Sequence, residues 1–236
     1  MRTTRATDPM ERILLMLAGG PPQPAQDRVA MALRRALTLR IFPDDRMPSE
    51  RSLAESFGVS RITVRHAMVM LRDDGRVLSG GSRRAGMVSR PREPVATADE
   101  PLQAHVRRAV ADIMVFRQAV EPAVARLAAG RADDALVTRL RAAAEALGPD
   151  PTAFRRADSE FHLVLAEACG NDRMVEAVLV SRAELLQWRD LVMMPDDVQG
   201  NRAQHMAIAD AVAARDGEAA ARLMHEHLRL TGASLG

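Results

Sequence analysis

Four side chains in the C-terminal half have the types and spacing to hold a divalent cation. Asp158 and His162, in "DSEFH", are four residues apart, so on a helix they stack on one face, together with Phe154, Phe161 and Leu165. His205, in "RAQHMAIADAVAARD", shares a helical face with Val198, Ile208, Ala209 and Val212. His227, in "AARLMHEHLRL", shares one with Ala220, Leu223 and Leu230, whereas His225 points nearly the opposite way and is expected to be exposed. A carboxylate and three imidazoles projecting from apolar faces need partners. Around one ion they satisfy one another, and this donor set suits Zn²⁺, Ni²⁺, Mn²⁺ or Fe²⁺. The plainer alternative is a group of hydrogen-bonded core histidines.

Three helices must carry these residues, and the period of the chain supplies them. Beyond residue 101 the apolar pattern is helical throughout, with helices expected near 102–130, 133–147, 151–169, 172–194, 197–215 and 217–231. Gly130, Gly148, Gly170 and Gly217 lie at or near the breaks. Asn171 reads as a helix C-terminal residue, Trp188 as core, and Met193–Met194 as a pocket border or filler. No repeat of fixed period is present.

The two ends of the chain differ in charge. All 33 basic residues are arginine, the chain has no tyrosine, and alanine is abundant, a bias that genome composition alone would produce. The distribution is more informative. Residues 1–92 hold 17 arginines against 9 acids, a net of +8, and residues 93–236 hold 16 against 22, a net of −6. A basic first third joined to an acidic remainder points to a polyanion partner for the first part only. Cys169 is the only cysteine, which excludes an internal disulfide and suits a reducing compartment. No apolar run reaches the roughly 18 residues of a membrane span. Glu11 interrupts the apolar patch near the N-terminus and no small-residue cleavage site follows, so no signal peptide is read and a cytoplasmic location is expected.

The basic third has its own architecture. "DPMERILLMLAGG" reads as a short helix capped by Asp8 and ended by Gly19–Gly20, followed by the extended "PPQPAQ". This helix could pack on the elements that follow or on a partner subunit. Val29, Ala32, Leu33, Ala36 and Leu37 mark the next helix; Ser49 caps a second that ends at Gly58, and Ser60 caps a third that ends at Gly75. "RVLS" and "MVSR" then read as two short strands around the loop "GGSRRAG". Helix, helix, tight turn, helix and hairpin make a winged helix-turn-helix. In its third helix Val64, Ala67, Met68 and Leu71 form the inner stripe, while Arg61, Arg65 and Arg72 fall together beside it. Arg61 and Arg65 occupy the first turns, where a recognition helix meets base edges, and Arg51 is placed for a similar contact. Gly80, Gly81, Arg83 and Arg84 give the hairpin loop close backbone approach and positive charge.

The stretch "MPSERSLAESFGVSRITVRHAMVMLRDDG" resembles the DNA-binding signature of the GntR family of bacterial transcription regulators. The resemblance implies that Arg51, Arg61, Thr63 and Arg65 touch DNA and that a wing glycine, assigned to Gly81, reaches the minor groove. The chain departs from the family pattern at Pro43–Asp44, where Pro-Gly is usual, at His66, where Glu is usual, and in a wing loop longer than usual by about one residue. "FRQAVEPAVARLAAGRA", "DSEFHLVLAEACGN" and "QHMAIADAVAARDGEAAARLMHEHL" resemble the all-helical FCD ligand-binding domain of the FadR-type members. That resemblance implies that Asp158, His162, His205 and His227 bind a divalent metal beside a pocket for a small carboxylate. It also implies that Arg117 meets the carboxylate of the effector; a salt bridge from Arg117 to Glu121, four residues on, is the equal alternative.

The expectation is a mainly α protein: an N-terminal winged helix-turn-helix and a C-terminal antiparallel all-helical bundle of about six helices. The boundaries are an N-terminal extension and linker at 1–26, the DNA-binding domain at 27–90, a linker at 91–101 and an effector-binding and dimerisation domain at 102–236. The expected function is a ligand-responsive repressor that binds a palindromic double-stranded DNA operator as a homodimer, with a divalent metal and a small organic acid in the C-terminal pocket and no membrane partner. Two rivals are an architectural DNA-binding protein with an inert helical domain and a metallohydrolase fused to a DNA-binding head. The latter lacks a separate general base at motif spacing.

Overall fold

A computed structural model of the chain describes residues 9–18, 24–42, 46–78, 88–89, 100–191 and 197–234. The chain divides into two compact units, residues 1–92 and 93–236. Asp8, Gly19–Gly20, Pro43–Asp44, the wing loop with Gly80, Gly81, Arg83 and Arg84, most of the 91–101 linker and Met193–Met194 lie outside the described residues.

The first unit runs α1 (Pro9–Leu17), α2 (Ala25–Thr38), α3 (Glu50–Phe57), α4 (Arg61–Asp73), β1 (Val77–Leu78) and β2 (Val88–Ser89). Local chemistry sets the tight turn between α3 and α4. Ser49 Oγ accepts from the Ser52 amide at 3.1 Å to start α3. Gly58 closes it at φ +63, a left-handed conformation that favours glycine, and Ser60 Oγ accepts from the Thr63 amide at 3.1 Å to start α4. Leu33, Ala36, Leu53, Val64, Ala67 and Leu71 are fully buried between these helices. β1 and β2 pair antiparallel with Val77 opposite Ser89 and Leu78 opposite Val88. The N-terminal helix α1 packs on α2 and α3. Leu14 and Leu17 are fully buried, and the Arg35 guanidinium donates to the Leu17 carbonyl at 3.0 Å, satisfying one of the acceptors left open at the end of α1.

Among the described residues the second unit is a bundle of six helices: α5 (Glu100–Ala129), α6 (Asp134–Glu145), α7 (Pro151–Ala168), α8 (Asp172–Leu191), α9 (Val198–Ala213) and α10 (Gly217–Ser234). Asp133, Asp150 and Asp197 accept backbone N–H groups at the starts of α6, α7 and α9. α5 packs against α7, α8, α9 and α10, and α7 against α5, α6 and α8. α7 is therefore buried along most of its circumference, from Phe154 through Ala166.

Two sequence expectations need correction. Asn171 opens a helix rather than closing one. Gly170, at φ +69, already ends α7, and Asn171 Oδ1 accepts from the Arg173 and Met174 amides at 3.0 and 3.3 Å. Leu223 and Leu230 do not share the buried face of His227; they are 37% and 39% exposed. The inner stripe of α10 is Ala220, Ala221, Met224, His227 and Leu228. His227 thus sits at the edge of that stripe, and the two leucines fall off its far side.

Candidate metal centre and DNA-reading face

α7, α9 and α10 bring Asp158, His162, His205 and His227 together, one donor atom from each lying within 4.8 Å of all the others. All four are buried. Asp158 Oδ1 lies 3.8 Å from His162 Nε2 and 3.6 Å from His205 Nε2, and the Nε2 atoms of His205 and His227 are 3.4 Å apart. Donors bound at about 2.1 Å to one ion stand about 3–4 Å from each other, so the spacing fits a shared cation.

The surroundings fix which atoms face inward. His162 Nδ1–H donates to Glu121 Oε2 on α5 at 2.5 Å, and His227 Nδ1–H donates to Gln204 Oε1 on α9 at 2.7 Å. Since a carboxylate and an amide oxygen only accept, both rings carry their proton on Nδ1 and turn a bare Nε2 to the centre. His162 Nε2 has no hydrogen-bond partner. The His205 ring stacks on Phe161, with centroids 4.0 Å apart and planes 3° from parallel. Burial, opposed by Asp158, pushes His205 down to about 4. Burial and Arg182 hold His162 well below the usual imidazole range, and burial and His205 do the same for His227. Burial, the largest single influence, would raise the Asp158 carboxyl; the charge and hydrogen bond of Arg182, together with His162 and His205, outweigh it and hold the group below the usual carboxylate range. The bare Nε2 atoms of His162 and His227 and the Asp158 carboxylate therefore face one another across the site, with His205 Nε2 beside them. A cation resolves that arrangement, and the residues present fit one.

Two buried arginines complete the centre. Arg117 Nε on α5 donates to Glu121 Oε1 at 2.5 Å, so the expected salt bridge is present. Its Nη1 lies 3.8 Å from Met114 Sδ, and its Nη2 has no acceptor. Arg182 Nη2 on α8 donates to Asp158 Oδ2 at 2.5 Å and lies 3.5 Å from Ser159 Oγ, while its Nε has no acceptor. Sequence reasoning missed Arg182, Gln204 and the contact of Glu121 with His162. The signal for Arg182 was present: it lies in the apolar stripe of Val178, Leu179, Leu185 and Leu186, the same argument that singled out His205.

On the DNA-binding unit, Arg51, Arg61 and Arg65 are exposed, and Thr63 is half-buried with its hydroxyl 2.9 Å from Ser60 Oγ. Arg51 Nε donates to Glu55 at 2.9 Å and Arg65 Nη2 to Glu50 at 3.2 Å. Such exposed pairs are weak and are readily exchanged for phosphate. Ile62, 65% exposed between Arg61 and Arg65, is an addition to the sequence reading, an apolar group of the kind that can contact a thymine methyl.

Residues 25–85 match the pattern of the bacterial regulatory proteins of the gntR family, and residues 112–230 match the FCD domain. The chain belongs to the GntR family of bacterial regulators. This GntR regulator is 33% identical over 205 residues to the HTH-type transcriptional repressor NanR of Citrobacter rodentium (strain ICC168), covering 80% of this chain and 76% of that protein. It is 30% identical over 227 residues to a regulatory protein of Escherichia coli (strain K12) named for the L-lactate dehydrogenase operon, covering 88% and 84%. A GntR-family regulator of solved structure from Pseudomonas syringae pv. tomato str. DC3000 superposes with a TM-score of 0.48 at 20% identity, covering 95% of this chain and 92% of that one. As a GntR regulator with an FCD domain, the protein is a DNA-binding transcription regulator and not an enzyme, which removes the hydrolase reading.

Proposed function

We propose that the protein is a repressor that binds a palindromic operator as a homodimer and responds to a small organic acid bound beside a divalent metal. Asp158, His162, His205 and His227 are the metal ligands, and Arg117 holds the carboxylate of the effector. Arg51, Arg61, Thr63, Arg65 and Gly81 are the DNA contacts. Two reading heads match two half-sites, and the setting is the cytoplasm. Among the described residues no helix is long and apolar enough to cross a membrane.

The observation that carries this reading is the buried centre itself: bare ring nitrogens beside an ionised Asp158, with Arg117 presenting an unpartnered N–H. A divalent ion held there would act as a Lewis acid toward a carboxylate oxygen. Glu121 keeps His162 in the ligating tautomer and also holds Arg117, so the effector arm and the metal ligand share one support. The names of the two relatives, one a repressor and one tied to a lactate operon, agree with repression and with a small acid. The effector can shift operator binding only by favouring one placement of the reading heads over another.

Elemental analysis of protein purified without chelator or affinity metal, beside His162→Ala, tests the centre. The expected result is about one divalent ion per chain, lost in the variant. No metal in either protein after reloading would sink the site. Operator binding measured by fluorescence anisotropy, with and without small carboxylates, tests the response; affinity indifferent to all of them would favour an inert dimerisation domain.

A further inference from the structure

We propose that Arg182 is a second anion-binding arm and that the effector is a small dicarboxylate; this rests on the metal-and-acid reading above and names its ligand class. The two buried arginines are built alike. Each is 2% exposed, each spends one N–H on a carboxylate that is in the four-residue cluster or hydrogen-bonded to it, and each retains an N–H with no acceptor in the protein. For Arg117 the carboxylate is Glu121, which orients His162, and the spare group is Nη2. For Arg182 the carboxylate is Asp158, itself a ligand, and the spare group is Nε. A buried, charged N–H without an acceptor is costly and calls for an anionic oxygen.

Charge fixes how many such oxygens are needed. Arg117 and Arg182 are balanced by Glu121 and Asp158, and an imidazole that ligates a metal is neutral. A divalent cation added to this buried set leaves an excess of two positive charges. A monocarboxylate cancels one and leaves one guanidinium arm without a partner. A dicarboxylate cancels both and offers an oxygen to each arm. The arms lie on α5 and α8, so such a ligand ties together two helices that pack on each other.

The test is calorimetric titration of the metal-loaded full-length protein with acids matched in chain length, succinate against butyrate and malonate against propionate. At least one diacid is expected to bind about tenfold or more tightly than its matched monoacid. Arg182→Gln is expected to bring the ratio of diacid to monoacid affinity down to about one. The comparison in the unaltered protein stands even if the variant fails to fold. Monoacids binding as tightly as both diacids would overturn the dicarboxylate assignment and leave the metal-and-acid reading intact. No acid binding to metal-loaded protein would overturn both.

Discussion

The DNA-reading face and the buried centre both rest on arginine–carboxylate pairs, but they use them in opposite ways. Arg51–Glu55 and Arg65–Glu50 are surface pairs whose side chains stay in water. Arg117–Glu121 and Arg182–Asp158 are out of it, with both guanidiniums 2% exposed. A surface pair is worth little and can be exchanged for a phosphate at small cost. A buried pair cannot lose a partner without stranding a charge, so it holds geometry. One region is built to exchange its ions and the other to fix them.

Breaking one pair of each kind measures that contrast. Asp158→Ala leaves Arg182 buried with no counter-charge and is expected to destabilise the metal-free protein by about 3–5 kcal/mol in urea titration. Glu50→Ala is expected to change stability by less than about 0.5 kcal/mol. Equal losses would show that the burial difference has no energetic weight. The next effect is acidification of chelated protein. The buried histidines have folded-state values below the ordinary imidazole value of about 6.5, so the unfolded chain takes up their protons first. Their contribution to stability is complete above about pH 6.5 and is lost as pH falls toward about 4, where folded His205 titrates. Thermal unfolding at pH 7.5 and 5 should show a lower midpoint at pH 5; a flat profile would mean the rings are solvated.

On the exposed side, Arg65→Ala or Arg61→Ala should weaken operator binding by about 1–3 kcal/mol without lowering the unfolding midpoint. A loss of folding would place these residues in the core instead. The smallest effect is expected for Arg51→Ala: weaker binding to every sequence and a salt slope reduced by about one. Base selectivity lost at one operator position would show instead that Arg51 reads sequence.

The same contrast decided what the sequence made legible. Helix starts and stops were readable because their signals are local: Ser49, Gly58 and Ser60 cap through backbone a few residues away. Asp158, His162, His205 and His227 could be grouped from the sequence because a histidine or aspartate in an apolar stripe is unusual. Arg182 sits in such a stripe too, but in a chain with 33 arginines one more carries little surprise. The contacts that Glu121 and Gln204 make with the histidines were invisible for a different reason. Glu121 meets His162 from 41 residues away and Gln204 meets His227 from 23, and only the packing of helices decides those pairs. Leu223 and Leu230 were placed inside because periodicity gives a stripe but not its centre, and a rotation of part of a turn moved them to the rim.

One contact in the bundle gives the molecule an optical readout. Trp188 is the only tryptophan, the chain has no tyrosine, and its ring meets His105 edge-on at 5.4 Å, joining α8 to α5. It stands six residues along α8 from Arg182, about 9 Å at the rise of a helix. Its ultraviolet emission therefore comes from a single address on the seam between the two helices that carry the arginine arms, so binding events there can be followed in the unlabelled, unmutated protein.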